Sequence, residues 1–229
     1  MRSEPAPALT LAAETFRARH PAPGRTPWRM APWLAVDLEL TGLDLRRHEI
    51  IAIGAVPIRE GRVIESESFY TLVRSESLSE PEALRLHQLR PEDLADAPSL
   101  EHATGELLER LAGAIPVFHT AAVECAFLGR ELKRLRLRLP AAADTDVLGR
   151  LWLRAEHGVR RSNVSLSGLA NLLGLPARPS HHALGDALTT ATAFTELVSR
   201  LEQAGERPTV GSLQHAALRF GGAGRFGPT

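Results

Sequence analysis

The chain is poor in cysteine and lysine and carries no net charge. Cys125 is its lone cysteine, so no disulfide can form within it, and no Cys/His spacing of the zinc-finger or HExxH kind is present. Near Met1 there is no basic start followed by an apolar run and a small-residue cleavage site, so a reducing, cytoplasmic setting is expected. Arginines, acids and prolines interrupt every hydrophobic run before it approaches the roughly 20 residues that span a bilayer, which predicts a soluble protein with no membrane partner. The 27 basic residues are balanced by 27 acidic ones, which argues against a histone-like protein held to nucleic acid by a large positive field. Lys133 is the single lysine, and the arginine excess reads as coding bias ahead of phosphate recognition. No internal repeat is visible.

What is present suits a globular protein: 229 residues, 44% hydrophobic and 24% charged, enough for one domain with a sizeable core. Pro5, Pro7, Pro21, Pro23 and Pro27 surround a short helical pattern from Leu9 to Arg19, so residues 1–30 are expected to form a Pro-rich extension outside the core. Gly221, Gly222, Gly224, Gly227 and Pro228 end the chain, and residues 205–229 read as a Gly/Pro-rich tail with a short helix from Val210 to Phe220. The main domain is expected at 31–204.

Within it, Trp33–Leu40, Ile50–Ile58 and Arg62–Leu72 are β-rich runs, the last two separated by Glu60-Gly61, which predicts a three-strand meander. A helix over Ser99–Ala112, a buried strand at Ile115–Phe118 and a helix over Val123–Leu137 before Pro140 follow, then a short strand leading to Asp144. Helices near Val147–Arg154, Leu166–Leu173 and Ala183–Gln203 complete the chain, the second capped by Ser165 and ended by Gly174. The fold class is α/β.

The chemistry begins in the run WLAVDLEL. Strand side chains alternate, so Leu34, Val36, Leu38 and Leu40 share one face while Asp37 and Glu39 share the other. On a central strand, two such carboxylates need partners or a cation. Taken alone, the strand reads equally well as half-exposed, with its acids in water. Thr41-Gly42-Leu43 come next, and a glycine at a strand end lets the backbone turn sharply and approach a ligand.

DLELTGLD resembles the first motif of the DEDD exonucleases, usually Asp-x-Glu-Thr-Thr-Gly, with Leu40 standing where the first threonine is common. His181-His182-Ala183-Leu184-Gly185-Asp186 resembles the third motif of the histidine-type branch, a histidine five residues before an aspartate. In a continuous helix that spacing subtends about 140° and the two side chains diverge, so His181 is expected in the loop before the helix, a placement supported by Pro179 and Ser180. The middle motif is usually His-Asn-Ala-x-Phe-Asp. Here it reads His119-Thr120-Ala121-Ala122-Val123-Glu124, followed by Phe127-Leu128, so Glu124 replaces the aspartate, Thr120 the asparagine and Val123 the phenylalanine. Asp144-Thr145 resembles the Asp-Thr that follows this motif in many relatives.

The resemblance covers about Pro32 to Leu201. It implies a ribonuclease H-like mixed sheet, three antiparallel strands first and then parallel strands, flanked by helices. It implies a metal-dependent 3′→5′ exonuclease, similar to proofreading epsilon subunits, using two Mg²⁺ or Mn²⁺ ions. Asp37 would then contact both ions, Glu39 and Asp186 would hold the ion of the attacking water, Glu124 would act on the second, and His181 would be the general base. Backbone from Leu38 through Leu40, Thr41 and Gly42 would meet the terminal sugar, with Leu40 or Leu43 against the last base. Phe127 would be a base platform by the resemblance and a core residue by its helical spacing, the commoner role for an aromatic there.

Arg130, Arg134 and Arg138 read as a solvated helix face, whereas Arg154, Arg160 and Arg161 lie in a polar stretch where a nucleic-acid backbone could equally pass. The expected partner is a nucleic-acid 3′ end, DNA or RNA, with DNA favoured; a polymerase or another protein could attach through the tails. One alternative is a catalytically weakened nucleic-acid- or partner-binding protein of the same fold. A second, weaker one is a zinc site built from His119, Cys125, His181 and His182.

Overall fold

The structure, a computed structural model, describes residues 7–77, 79–176, 178 and 181–220. Pro179, Ser180 and the glycines from Gly221 onward lie outside the described residues. Among those described, no helix is long and apolar enough to cross a membrane.

The expected meander is present, with one change. Strand β1 (Trp33–Leu40) pairs antiparallel with β2 (Ile50–Arg59). The single third strand is divided into β3 (Arg62–Val63) and β4 (Phe69–Leu72), both antiparallel to β2, with a 3₁₀ turn at Glu65–Glu67 between them. On its other edge β1 pairs parallel with β5 (Ile115–Phe118), which pairs parallel with β6 (Ala143–Asp144), giving the order β3-β2-β1-β5-β6. Strand β1 is therefore central. The mixed sheet, antiparallel first and then parallel, is the one expected.

The helices are α1 (Pro7–Ala18), α2 (Pro81–His87), α3 (Pro91–Leu94), α4 (Leu100–Leu111), α5 (Ala121–Arg134), α6 (Thr145–His157), α7 (Leu166–Leu173), α8 (Ala183–Gln203) and α9 (Val210–Phe220). Ser99 caps α4 by accepting from the His102 backbone N–H, and Ser165 caps α7 by accepting from Gly168. Helix α5 stops at Arg134, well before Pro140, and Arg138 is not on it.

Strand alternation divides the core in two. Leu34, Val36, Leu38 and Leu40 enter one apolar cluster with residues of α1, α4 and α5, while Trp33 and Ala35 enter the other with residues of α6 to α9. On this second face the apolar pattern gives way at Asp37 and Glu39, toward the C-terminal end of the strand.

The two flanks differ from the extension and tail that the prolines and glycines suggest. Helix α1 packs along α4 and buries Leu9, Ala12, Ala13 and Phe16 in the first cluster. Trp28 is 1% exposed, its indole N–H donates to Glu202 on α8 at 2.7 Å, and its carbonyl accepts from Trp33. The flanks also join each other: Val210 N–H donates to Thr26 O, Gly211 N–H to Gly24 O and Trp28 N–H to Pro208 O. Proline spacing marks the bends around α1, but burial of its apolar face is a long-range contact that local composition does not encode.

Candidate active site

The acids of β1 meet the N-terminus of α8 because of one glycine. Gly54 pairs with Asp37 across the β1–β2 ladder, and a Cβ added to it would lie 2.2 Å from Ala183 O. With only hydrogen there, the first turn of α8 lies directly on the sheet and carries Asp186 to β1. One ligand oxygen each from Asp37, Glu39 and Asp186 then lies within 4.8 Å of the others.

His181 has φ 58° and stands before the helix, so the 140° divergence does not arise; its backbone N–H donates to Asp186 Oδ2 at 2.8 Å. His182 caps α8 by accepting from Gly185 N–H. Its ring stacks on Tyr70 of β4 at 4.7 Å between centroids. Tyr70 is the neighbour of Gly54 in the next strand, so Asp37, Gly54 and Tyr70 form one row on the same sheet face.

Glu124 comes from the first turn of α5. Thr120, with φ 65°, precedes that helix, and Asp144 anchors it by accepting from Thr120 N–H at 3.2 Å and Ala121 N–H at 2.9 Å. The same carboxylate caps α6 by accepting from Asp146 and Val147. Two helix N-termini thus converge on one carboxylate, which accepts from two backbone N–H groups at each.

Crowding and burial raise the proton affinity of all four acids. Asp37 is pushed well above its ordinary value by burial and then by the charges of Glu124, Asp186 and Glu39. Burial raises Glu39 to about 7, helped by Asp186, and raises Glu124 to about 8, helped by Asp144. Asp186 is also raised by burial, against the His181 N–H bond and the nearby histidine charges that lower it. Among the described residues, Glu39 Oε1 and Glu124 Oε2 are buried with no hydrogen-bond partner. Unpaired hard oxygen donors in a buried acidic cluster fit a divalent cation.

Residues 34–194 match the exonuclease family RNase_T. The chain belongs to this exonuclease family. It is 28% identical over 173 residues to a PolC-type DNA polymerase III of Caldanaerobacter subterraneus, covering 76% of this chain and 12% of that protein. It is 30% identical over 192 residues to a DNA polymerase III subunit epsilon-like protein of Rhodobacter capsulatus, covering 82% of this chain and 27% of that one. The chain thus spans a small part of both relatives. In fold it resembles Exonuclease X in complex with 5′ overhanging duplex DNA, with TM-score 0.58, 20% identity and coverage of 80% of this chain and 99% of that one. It also resembles the nuclease domain of 3′hExo, a DEDDh family member bound to rAMP, with TM-score 0.59, 19% identity and coverage of 79% and 95%. As a DEDD-family exonuclease domain, the chain is a hydrolytic nuclease.

Several members of the expected site stand elsewhere. Leu38 and Leu40 are each 8% exposed and point into the first cluster, away from the acids, so the backbone but not the Leu40 side chain can meet a nucleotide. Leu43, at 66% exposed, remains open to a base. Phe127 is 1% exposed, a core residue with no ring face left for stacking. Arg130 is not a solvated side chain: its guanidinium donates to Leu45 O and His48 O, tying α5 to the loop after β1.

The zinc alternative does not assemble. His119 Nε2 lies 2.9 Å from the Val164 carbonyl and Nδ1 2.9 Å from Thr145 Oγ1, so both ring nitrogens are engaged by protein groups. Burial pushes the Cys125 thiol up to about 12. Sequence reasoning missed Gly54, Tyr70, His48 and His87. Only Gly54 left a signal, as a glycine inside an apolar strand, which often marks a close backbone approach.

Proposed function

We propose that this domain is a 3′→5′ exonuclease that removes the terminal nucleotide of a nucleic-acid strand, DNA in preference to RNA, with two Mg²⁺ or Mn²⁺ ions. The observation that carries this reading is the pair of buried, unpartnered carboxylate oxygens of Glu39 and Glu124, both belonging to acids whose charges bear on Asp37. A solvated acidic surface would have neither the burial nor the raised proton affinities. Asp37, Glu39 and Asp186 would hold one ion, and Asp37 with Glu124 the other. Bound divalent ions supply positive charge against the negative charge that develops on the phosphate oxygens.

The protein groups do the rest. Asp186 fixes the backbone of His181, keeping the imidazole beside the acids. His181 accepts a proton from the attacking water. As the water oxygen bonds to phosphorus, the P–O3′ bond to the preceding nucleotide breaks, a nucleoside 5′-monophosphate leaves, and O3′ of the shortened strand takes up a proton from solvent to become its new 3′-hydroxyl. Glu124 retains a carboxyl group where an aspartate is usual in the family motif, with one oxygen buried and unpartnered, which favours an enzyme over a weakened binding module.

The catalytic unit is residues 31–204, buttressed by both flanks. The names of the two relatives support DNA as substrate and a polymerase as a protein partner. The test is Mn²⁺-dependent release of mononucleotides from 3′-labelled single strands, with Asp37→Ala as comparison. Equal release by both proteins would overturn the assignment. Parallel digestion of matched DNA and RNA strands reads the preference.

A further inference from the structure

The turn after β1 is held by side chains that the catalytic reading leaves unused. Thr41 is fully buried; its N–H donates to Glu49 O at 3.0 Å, and its Oγ1 accepts from Glu49 N–H at 3.1 Å. With that acceptance made, the hydroxyl proton is free to point at His48 Nδ1, 3.2 Å away. The ring proton then belongs on Nε2, which lies 2.9 Å from Glu80 Oε1. Glu80 closes the circuit, since its own backbone N–H donates to Thr41 O at 2.7 Å.

Gly42 has a role here that differs from close approach to a ligand. A Cβ at Gly42 would fall 2.7 Å from the His48 ring, so the glycine makes room for the imidazole. His48 is 6% exposed although its neighbours from Leu43 to Arg47 are all exposed. Arg130 on α5 holds the His48 carbonyl from the other side.

Glu80 is also the N-cap residue of α2, a helix of about 10 Å by its length. At the far end of α2, His87 is 8% exposed, and its Nδ1 accepts from Leu89 N–H. Its Nε2 is buried with no partner among the described residues. Burial, and then the charge of His181, lower its proton affinity. One strap therefore runs from the Thr41–Gly42 turn through α2 to the buried His87, and its attachment at the turn is the His48–Glu80 pair.

We propose that His48 and Glu80 are positioning residues that hold the Thr41–Gly42 turn, with α2 docked beside it, in the shape that receives the 3′-terminal nucleotide. The proposal rests on the nuclease reading for the identity of the ligand. Neither residue touches the reacting atoms. Their loss loosens the nucleotide-binding turn while the acids of β1 and α8, fixed by the sheet and by Gly54, keep their places, so affinity suffers and turnover at saturation does not.

The test compares wild-type protein with His48→Ala, Glu80→Ala, Glu80→Gln and the double alanine variant. KM and kcat are measured on a single-stranded DNA oligonucleotide with Mn²⁺. Binding of the same oligonucleotide, fluorescein-labelled at its 5′ end, is followed by anisotropy with Ca²⁺ in place of Mn²⁺. Each alanine variant is expected to raise KM and Kd about tenfold with kcat within about twofold, and the double variant to be no worse than either single one. Glu80→Gln keeps an acceptor oxygen for His48 and is expected to stay near wild type. The Glu80 side chain is 52% exposed, so Glu80→Ala reads the latch even where His48→Ala disturbs folding. Unchanged KM and Kd in Glu80→Ala, additive effects of the two alanines, or a loss confined to kcat would overturn the proposal. A wild-type protein that releases no nucleotide sinks the nuclease reading, and the anisotropy comparison then still decides the latch.

Discussion

Gly54 stands opposite Asp37 in the β1–β2 ladder, and the place where its side chain would be is taken by the backbone carbonyl of Ala183. The contact joins the centre of the sheet to the helix that carries Asp186. Gly54→Ala would put a methyl group 2.2 Å from that carbonyl oxygen, and backbone on both sides leaves α8 no choice but to lift. A displacement of about 1 Å at a catalytic group costs on the order of a hundredfold in rate, and overpacking costs about 1–3 kcal/mol. We expect Gly54→Ala to lower Mn²⁺-dependent turnover about a hundredfold with a modest drop in Tm, measured by single-turnover assay and thermal denaturation.

The acidic cluster sets a pH dependence with a definite sign. Glu39 and Glu124 have folded-state values of about 7 and about 8 against an ordinary 4.5, so the folded metal-free protein holds more protons than the unfolded chain within that window. Their contribution to stability is complete below about 4.5 and is lost as pH rises through about 7 and 8. In chelator, Tm should therefore fall between pH 5.5 and 8.5. With Mn²⁺ the trend is expected to weaken or reverse, because ions compete with these protons and bind more tightly as pH rises. Calorimetry at the two pH values, with and without Mn²⁺, checks both statements.

Removing one of these charges should stabilise the metal-free fold and abolish its chemistry. Asp37→Asn keeps the shape of the side chain, relieves the repulsion from Glu124, Asp186 and Glu39, and deletes the acid assigned to both ions. The expected result is a Tm in chelator at pH 8 above that of wild type, together with loss of turnover. A lower Tm would show that the cluster is compensated in some other way.

Asp144 is expected to matter as much as a catalytic acid without being one. Asp144→Ala leaves the first N–H groups of α5 and α6 without their acceptor, a loss of about 2 kcal/mol by the usual cost of an N-cap. Because Glu124 lies in the first turn of α5, turnover per folded molecule should also fall. Urea denaturation and active-site titration separate the two effects.

The flank before the sheet makes a separate prediction. Phe16, at 9% exposed, packs in the first cluster with Leu107, Leu108 and Leu111. Phe16→Ala is expected to cost about 3 kcal/mol while leaving kcat per folded molecule unchanged, measured by urea denaturation beside the turnover assay. No effect on stability would mean that α1 is dispensable.

Which parts of this molecule were legible in its sequence follows from how far apart the contacting residues lie. Period-two alternation placed Asp37 and Glu39 on one face and the leucines on the other because that rule acts within a single strand. The Ser165 and Gly174 caps of α7 were equally local. The third motif placed His181 in the loop before α8, where the positive φ confirms it. By contrast, Gly54 acts on Ala183, Tyr70 on His182, and Asp144 on Thr120 and Ala121. Each of these is a contact between segments that no local periodicity connects. The same limit hid the packing of α1 and left open, until burial was seen, that Phe127 belongs to the core.

Hydrogen bonds from Val210 to Thr26, from Gly211 to Gly24 and from Trp28 to Pro208 bring the two flanks of the domain side by side. Trp28 also grips Glu202, about 24 Å along α8 from Asp186 by helix rise. The two borders of the sheet-bearing region are therefore clasped to each other at the end of α8 away from Asp186.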